Sequence, residues 1–169
     1  RWGKVWFVFI YIFLIIPFGP VMPVKAGQIA PDPNPSGSTI TVTGSDSNAS
    51  NPFRNSGVIM INTGGALTNN ARLDNYAGGE IYNSGAMHNY GEINNDGTLT
   101  NSGTFYNYTG GELYSNGTLI NTGTFTNYDW MSNSGALPNS GTLTARWLSN
   151  SSWAALNNSG TLTITTTLY

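Results

Sequence analysis

From residue 57 onward, Gly, one further residue and one apolar side chain return together about every six residues, and a longer period overlies this rhythm. With Gly-x-apolar as the phase mark, the chain divides into GALTNNARLDNYAGGEIYNS (65–84), GAMHNYGEINNDGTLTNS (85–102), GTFYNYTGGELYSNGTLINT (103–122), GTFTNYDWMSNSGALPNS (123–140), GTLTARWLSNSSWAALNNS (141–159) and the partial GTLTITTTLY (160–169). Each full unit has 18 to 20 residues. Met87, Phe105 and Phe125 fall in one column of this alignment, and Tyr90, Tyr108 and Tyr128 fall in another, which a plain six-residue repeat would not produce.

Each unit holds three short segments with one apolar residue apiece. Recurrent glycine opposes helix, while Thr, Phe, Tyr and Ile suit strands, so the segments read as strands of three or four residues. Short strands on a fixed period near 20 residues predict a solenoid, in which each coil buries its apolar face only against its neighbours. The expected fold is therefore all-β, a parallel β-helix with three short strands per 18–20-residue coil. At about 4.8 Å per coil, the roughly seven coils expected between Thr39 and Tyr169 make a rod about 33 Å long with a triangular cross-section.

Strand alternation sends Gly97, Leu99 and Asn101 inward and Thr98 and Thr100 outward. The first edge of the coil should then stack Leu67, Met87, Phe105, Phe125, Leu143 and Leu162. The third edge should stack Ile81, Leu99, Leu119 and Leu137. Asn at the corners is expected to adopt the left-handed conformation and to pair its amide with the Asn of the next coil. The pairs Gly78-Gly79 and Gly110-Gly111 add two residues each and read as bulged corners that need positive φ.

Only 8% of the residues are charged, which fits a stack: Asn and Thr can lie over copies of themselves, whereas columns of like charge repel. There is no cysteine and one histidine, so neither a disulfide framework nor a thiolate or histidine metal cluster is expected, and no cofactor is implied. Residues 27–169 carry three arginines against eight carboxylates, a net charge of −5. That sign excludes phosphate-backbone binding, so nucleic acid is not an expected partner.

The first 26 residues differ from the rest. Arg1 and Lys4 precede the apolar run VWFVFIYIFLII, prolines break it, and Val24-Lys25-Ala26 offers a small-x-small cleavage pattern. Residues 1–26 are read as a secretory signal peptide, with an uncleaved membrane anchor as the alternative. Residues 27–38, rich in proline, are read as an extended spacer, and residues 39–169 as the solenoid, truncated at its C-terminal end.

Gly-x-apolar-x-Asn at this period, as in GTLTNSGTFYNY and GTLINTGTFTNY, resembles the repeat passengers of bacterial filamentous-haemagglutinin-like adhesins and autotransporters over residues 57–169. The resemblance implies a right-handed parallel β-helix displayed at a bacterial surface, secreted through an export machinery and used for attachment. A left-handed helix stays open, because Leu-Thr-Asn-Ser-Gly-Thr partly fits a hexapeptide pattern.

Carbohydrate or extracellular matrix is the expected partner, with end-to-end self-association through open strand edges as a further possibility. The candidate glycan contacts are Tyr90, Tyr108 and Tyr128 at one corner, with Tyr106, Tyr114 and Trp130 facing outward on the first two edges. Aromatic rings beside amides offer a sugar both apolar contact and hydrogen bonds. The competing reading is that these rings stack on one another to cover a strand face.

Catalysis is not expected. Glu92 and Glu112 should stack outward one coil apart on the second edge, where a polysaccharide lyase would need converging carboxylates, but a solvated face explains them as well. His88 is expected at the surface with no nucleophile near it, and Arg72 and Asp74 as a surface pair. Thr104, Thr124, Thr142 and Thr161, with Thr126, Thr144 and Thr163, form a TxT array of the kind that ice-binding solenoids carry. Trp147 and Trp153 interrupt the repeat, and their place is not fixed by its phase.

Overall fold

The computed structural model describes residues 27–168, all of them strand, bridge, turn or loop. Residues 1–26, read from the sequence as a signal peptide, lie outside the described residues. The strands begin with β1 (Thr39–Val42), β2 (Ser45–Asn48), β3 (Phe53–Asn55), β4 (Val58–Ile61), β5 (Ala66–Asn69) and β6 (Arg72–Asn75). They continue as β7 (Glu80–Asn83), β8 (Ala86–Asn89), β9 (Glu92–Asn95), β10 (Thr98–Asn101), β11 (Thr104–Asn107), β12 (Glu112–Ser115) and β13 (Thr118–Asn121). The last five are β14 (Thr124–Asn133), β15 (Ala136–Asn139), β16 (Thr142–Asn150), β17 (Ala155–Asn158) and β18 (Thr161–Leu168).

Pairing is parallel and joins each strand to those three places away, until merged strands shorten the interval. The result is a β-solenoid of about seven coils with three faces. The third face is the sheet β1-β4-β7-β10-β13-β15-β17. The first face stacks β2, β5, β8 and β11 onto the start of β14, and the second stacks β3, β6, β9 and β12 onto its end. In the corner Asn127–Trp130, where Asp129 takes the place of Gly91 and Gly111, β14 runs through without a break, and β16 and β18 follow it.

The apolar columns fall as the pattern requires. Leu67, Met87, Phe105, Phe125 and Leu143 are fully buried on the first face, and Ile81, Leu99, Leu119 and Leu137 on the third. Phe53, Leu73, Ile93, Leu113, Met131 and Leu148 complete the core from the second face. The rings of Phe105 and Phe125 lie 4.5 Å apart and 4° from parallel, so in-register stacking sets aromatic on aromatic.

Asparagine ends nearly every strand, with its side chain inside the corner. Nδ2 of Asn48, Asn69, Asn89 and Asn107 donates to Oδ1 of the Asn one coil later at 2.6–2.7 Å. A second ladder runs Asn83, Asn101, Asn121, Asn139, Asn158 at 2.6–2.8 Å. A third runs Asn34, Asn55, Asn75, Asn95. The other amide hydrogen reaches backbone carbonyls at the corner, as from Asn89 to Gly91 and Glu112. Each buried donor is thus satisfied, and bonds of this kind are worth about 1 kcal/mol each when the alternative is hydration.

The expected left-handed Asn is corrected. Among the described residues every positive φ belongs to glycine. The Asn residues instead keep the extended backbone of the strand, because that conformation aims their amides along the rod axis, where the next coil's amide waits.

Glycine serves two separate ends. Gly64, Gly78 and Gly110 have φ of 85°, 85° and 89° and occupy the third place of turns closed by Gly65 N donating to Asn62 O, Gly79 N to Tyr76 O and Gly111 N to Tyr108 O at 2.8 Å. That is the type II requirement, so the Gly-Gly pairs are corners as expected. The glycines that open the strands, such as Gly103 and Gly123, have no positive φ; a Cβ there would overlap the carbonyl oxygens of Gly85 and Gly103 one coil earlier. Stacking itself excludes a side chain.

The proline-rich segment does not stand clear of the rod. Gln28 bridges Ser47 and Asn34 bridges Asn55 in parallel, Ile29 is 2% exposed within the core, and Asn34 heads the third ladder. Apolar and Asn side chains at the right spacing recruit it as a partial first coil.

Candidate functional site

The register of β8, β11 and β14 fixes where the candidate aromatic residues stand. Met87, Phe105 and Phe125 pair inward, and His88, Tyr106 and Thr126 pair outward. Tyr90, Tyr108 and Tyr128 follow the buried Asn89, Asn107 and Asn127 and turn out of the corner between the first and second faces.

These side chains form one ridge. The rings of Tyr90 and Tyr108 lie 4.4 Å apart at 4°, and those of Tyr108 and Tyr128 lie 5.9 Å apart at 18°. His88 joins it, 5.8 Å from Tyr106 at 7° and 5.9 Å from Tyr108 at 22°, and Tyr106 and Tyr108 are 5.6 Å apart. The Tyr108 hydroxyl lies 3.3 Å from His88 Nδ1. Ring burial holds the His88 pKa below the ordinary imidazole value and raises that of Tyr108, so both groups are neutral at pH 7. His88 faces outward as its phase requires, yet it is half-buried under tyrosines rather than simply solvated.

The stack decides which surfaces are free. Tyr108 lies between Tyr90 and Tyr128, so its ring faces are taken; Tyr90 and Tyr128 remain 49% and 45% exposed. The ridge therefore offers ring edges, hydroxyls and the outer faces of its end members.

Tyr114 and Trp130 stand apart on the second face. Tyr114 donates its hydroxyl to Glu112 Oε2 at 2.9 Å, and that bond raises its pKa. Trp130 pairs in register with Trp147, whose ring carries the Arg146 guanidinium at 4.0 Å. Trp153 tips the turn between β16 and β17. So four of the six candidate aromatic residues come together and two lie round the corner.

Carboxylates are spoken for. Glu92 and Glu112 pair in register on the second face, as expected, but Asn94 Nδ2 donates to Glu92 Oε1 at 2.6 Å and to Asp74 Oδ1 at 3.1 Å. Arg72 Nε donates to Asp74 Oδ1 at 2.8 Å, and its Nη1 lies 3.9 Å from Glu92. The Asp74 side chain is only 7% exposed, so this pair is more than a solvated one. Among the described residues no three His, Cys, Asp or Glu side chains gather to hold a metal.

No protein-family profile, curated protein or solved structure matches this chain.

His88 and Arg146 are the members of these clusters that sequence reasoning missed. Their signal was present: His88 shares a column with Tyr106 once the coils are aligned, and Arg146 adjoins Trp147 in the sequence.

Proposed function

We propose that this chain is part of an exported surface rod of bacterial type, with a structural and adhesive role and no catalytic one. The resemblance of its repeats to filamentous-haemagglutinin-like and autotransporter passengers supports this reading, as does a fold that extends by adding coils. The observation that carries adhesion is the ridge of Tyr90, Tyr106, Tyr108 and Tyr128 with His88, flanked by Tyr114 and Trp130 on the next face. A glycan or matrix polysaccharide laid along this corner would meet ring edges and phenol hydroxyls in steps of one coil, with ring faces at the two ends of the ridge.

The test is glycan-array binding of the full chain, wild type against Tyr90→Ala, Tyr128→Ala and Trp130→Ala. The expected result is saturable binding that falls on the order of tenfold with each end-face substitution. Absence of binding by the wild type would leave the ridge a purely structural stack.

A second reading rests on the threonines. Thr104, Thr124, Thr142 and Thr161 pair in register, as do Thr126, Thr144 and Thr163, giving two parallel hydroxyl columns four and three coils deep on the first face. Ice-crystal shaping in dilute solution, lost in Thr144→Lys, would favour this reading.

A further inference from the structure

We infer that the third face is a self-pairing surface, on which two copies of this chain lie side by side with parallel rods and a two-fold axis along them. Charge sets the second face apart from the first and third. The second carries Arg54, Arg72, Asp74, Glu92 and Glu112 at its strand positions. The outward strand positions of the third carry a single charge, Glu80, and the Tyr82 hydroxyl donates to it at 2.9 Å. The rest is threonine and apolar apart from Asn157, with Met60 40% and Tyr82 37% exposed and Ile120 and Pro138 further along the same column.

Two features at one end of this face match each other. Trp153 is 95% exposed at the tip of a turn closed by Ala154 N donating to Ser151 O at 2.9 Å. Its whole ring is free to be covered by a partner. At the far end of the same strands lies an open hollow of about 410 Å³ lined by Ile120, Pro138, Leu156 and Asn157. The plug lies before β17 and the socket at its end.

A two-fold axis along the rod lays each coil on the same coil of the partner and reverses the strand direction. Trp153 of each copy then falls beyond the end of the other's β17, at the rim of its hollow. The same operation sends the two copies of Glu80 to opposite edges, so like charges do not meet. A patch that holds both plug and socket is self-complementary, as a two-fold interface requires, and a neutral face gives a charged partner nothing to pair with.

Size is sufficient. Seven strands of four residues make a face of about 400 Å², and each buried tryptophan adds about 150–250 Å². The pair would bury about 1,200 Å² in total, the lower end of the range for specific interfaces.

Sedimentation velocity of the full chain over a concentration series tests this. The wild type should show a monomer–dimer equilibrium, Trp153→Ser and Ile120→Lys should each weaken it on the order of tenfold or more, and Thr126→Lys on the first face should leave it unchanged. Trp153 packs against nothing it could unfold, so its substitution separates association from stability. Because the chain has no cysteine, Thr100→Cys on the third face should be linked between copies by a short bismaleimide, and Thr126→Cys should not. A wild type monomeric throughout, a dimer indifferent to Trp153→Ser, or linkage through Thr126→Cys but not Thr100→Cys would each overturn the proposal.

Discussion

The asparagine ladder between the first and second faces and the one between the second and third are built alike, but one is whole and the other is interrupted. From Asn48 to Asn127 the column is unbroken, and Asn69, Asn89 and Asn107 each accept from the Asn before and donate to the Asn after. In the other column Ser115 takes the place of an Asn: Asn95 Nδ2 reaches Ser115 Oγ at 3.2 Å, and Asn133 Oδ1 below it has no partner. A hydroxyl can receive at this position, but it is too short to pass the bond on. The other two buried oxygens without partners have the same origin: Asn34 heads its ladder, and Asn83 lies under Ile61, which has nothing to donate. A missing donor leaves one orphaned oxygen whether it falls at the head of a ladder or in its middle.

Breaking the whole ladder should therefore cost most. Asn107→Leu strands one Nδ2 hydrogen of Asn89 and the Oδ1 of Asn127 and removes the donations to Gly111 and Trp130; a loss of about 2–4 kcal/mol is expected in urea unfolding. In the interrupted ladder Asn133→Leu should cost less, about 1–2 kcal/mol, because its carbonyl oxygen is already orphaned. Equal costs for the two substitutions would show that continuity of the column contributes nothing. Repair should work in the opposite direction: Ser115→Asn should raise the urea midpoint by the equivalent of about 1 kcal/mol, and an unchanged midpoint would mean the gap is already bridged by solvent.

The smallest effect concerns the ridge outside the whole ladder. His88 has a folded pKa below its ordinary 6.5 because its ring is partly desolvated. The unfolded chain therefore binds the proton first, and stability should fall as pH drops below about 6.5 and level off below the folded pKa. Thermal melts between pH 7.5 and 5 should show a modest drop in Tm that His88→Gln abolishes. A rise in stability on acidification would place an anion beside the ring that the structure does not show.

Much of the fold was legible in the sequence because one period orders everything. Once Met87, Phe105 and Phe125 define a column, the inward or outward sense of each neighbouring strand residue follows from alternation. The glycines were legible as corners only where they come in pairs. That Gly103 and Gly123 exclude a Cβ is a property of coil-on-coil contact, which no single unit contains. The Asn conformation was misread for a related reason: propensity points to a left-handed turn, but the interior of a stacked corner rewards an extended residue whose amide lies along the axis. The candidate site was half legible. Tyr90, Tyr108 and Tyr128 declared themselves as a column, whereas the capture of His88 by Tyr106 and Tyr108 depends on side-chain directions across two adjoining columns, and the separation of Tyr114 and Trp130 on the charged face depends on where the corner turns.

All three ladders donate the same way, from each coil to the one that follows it in sequence. The rod is therefore vectorial. A coil already in place holds out its amide N–H groups to the next stretch of chain, which needs to find a partner only about one coil back. Zipping of this kind keeps loop closures short and can run coil by coil from the N-terminal end. A solenoid delivered N-terminus first could thus use each finished coil as the template for its successor.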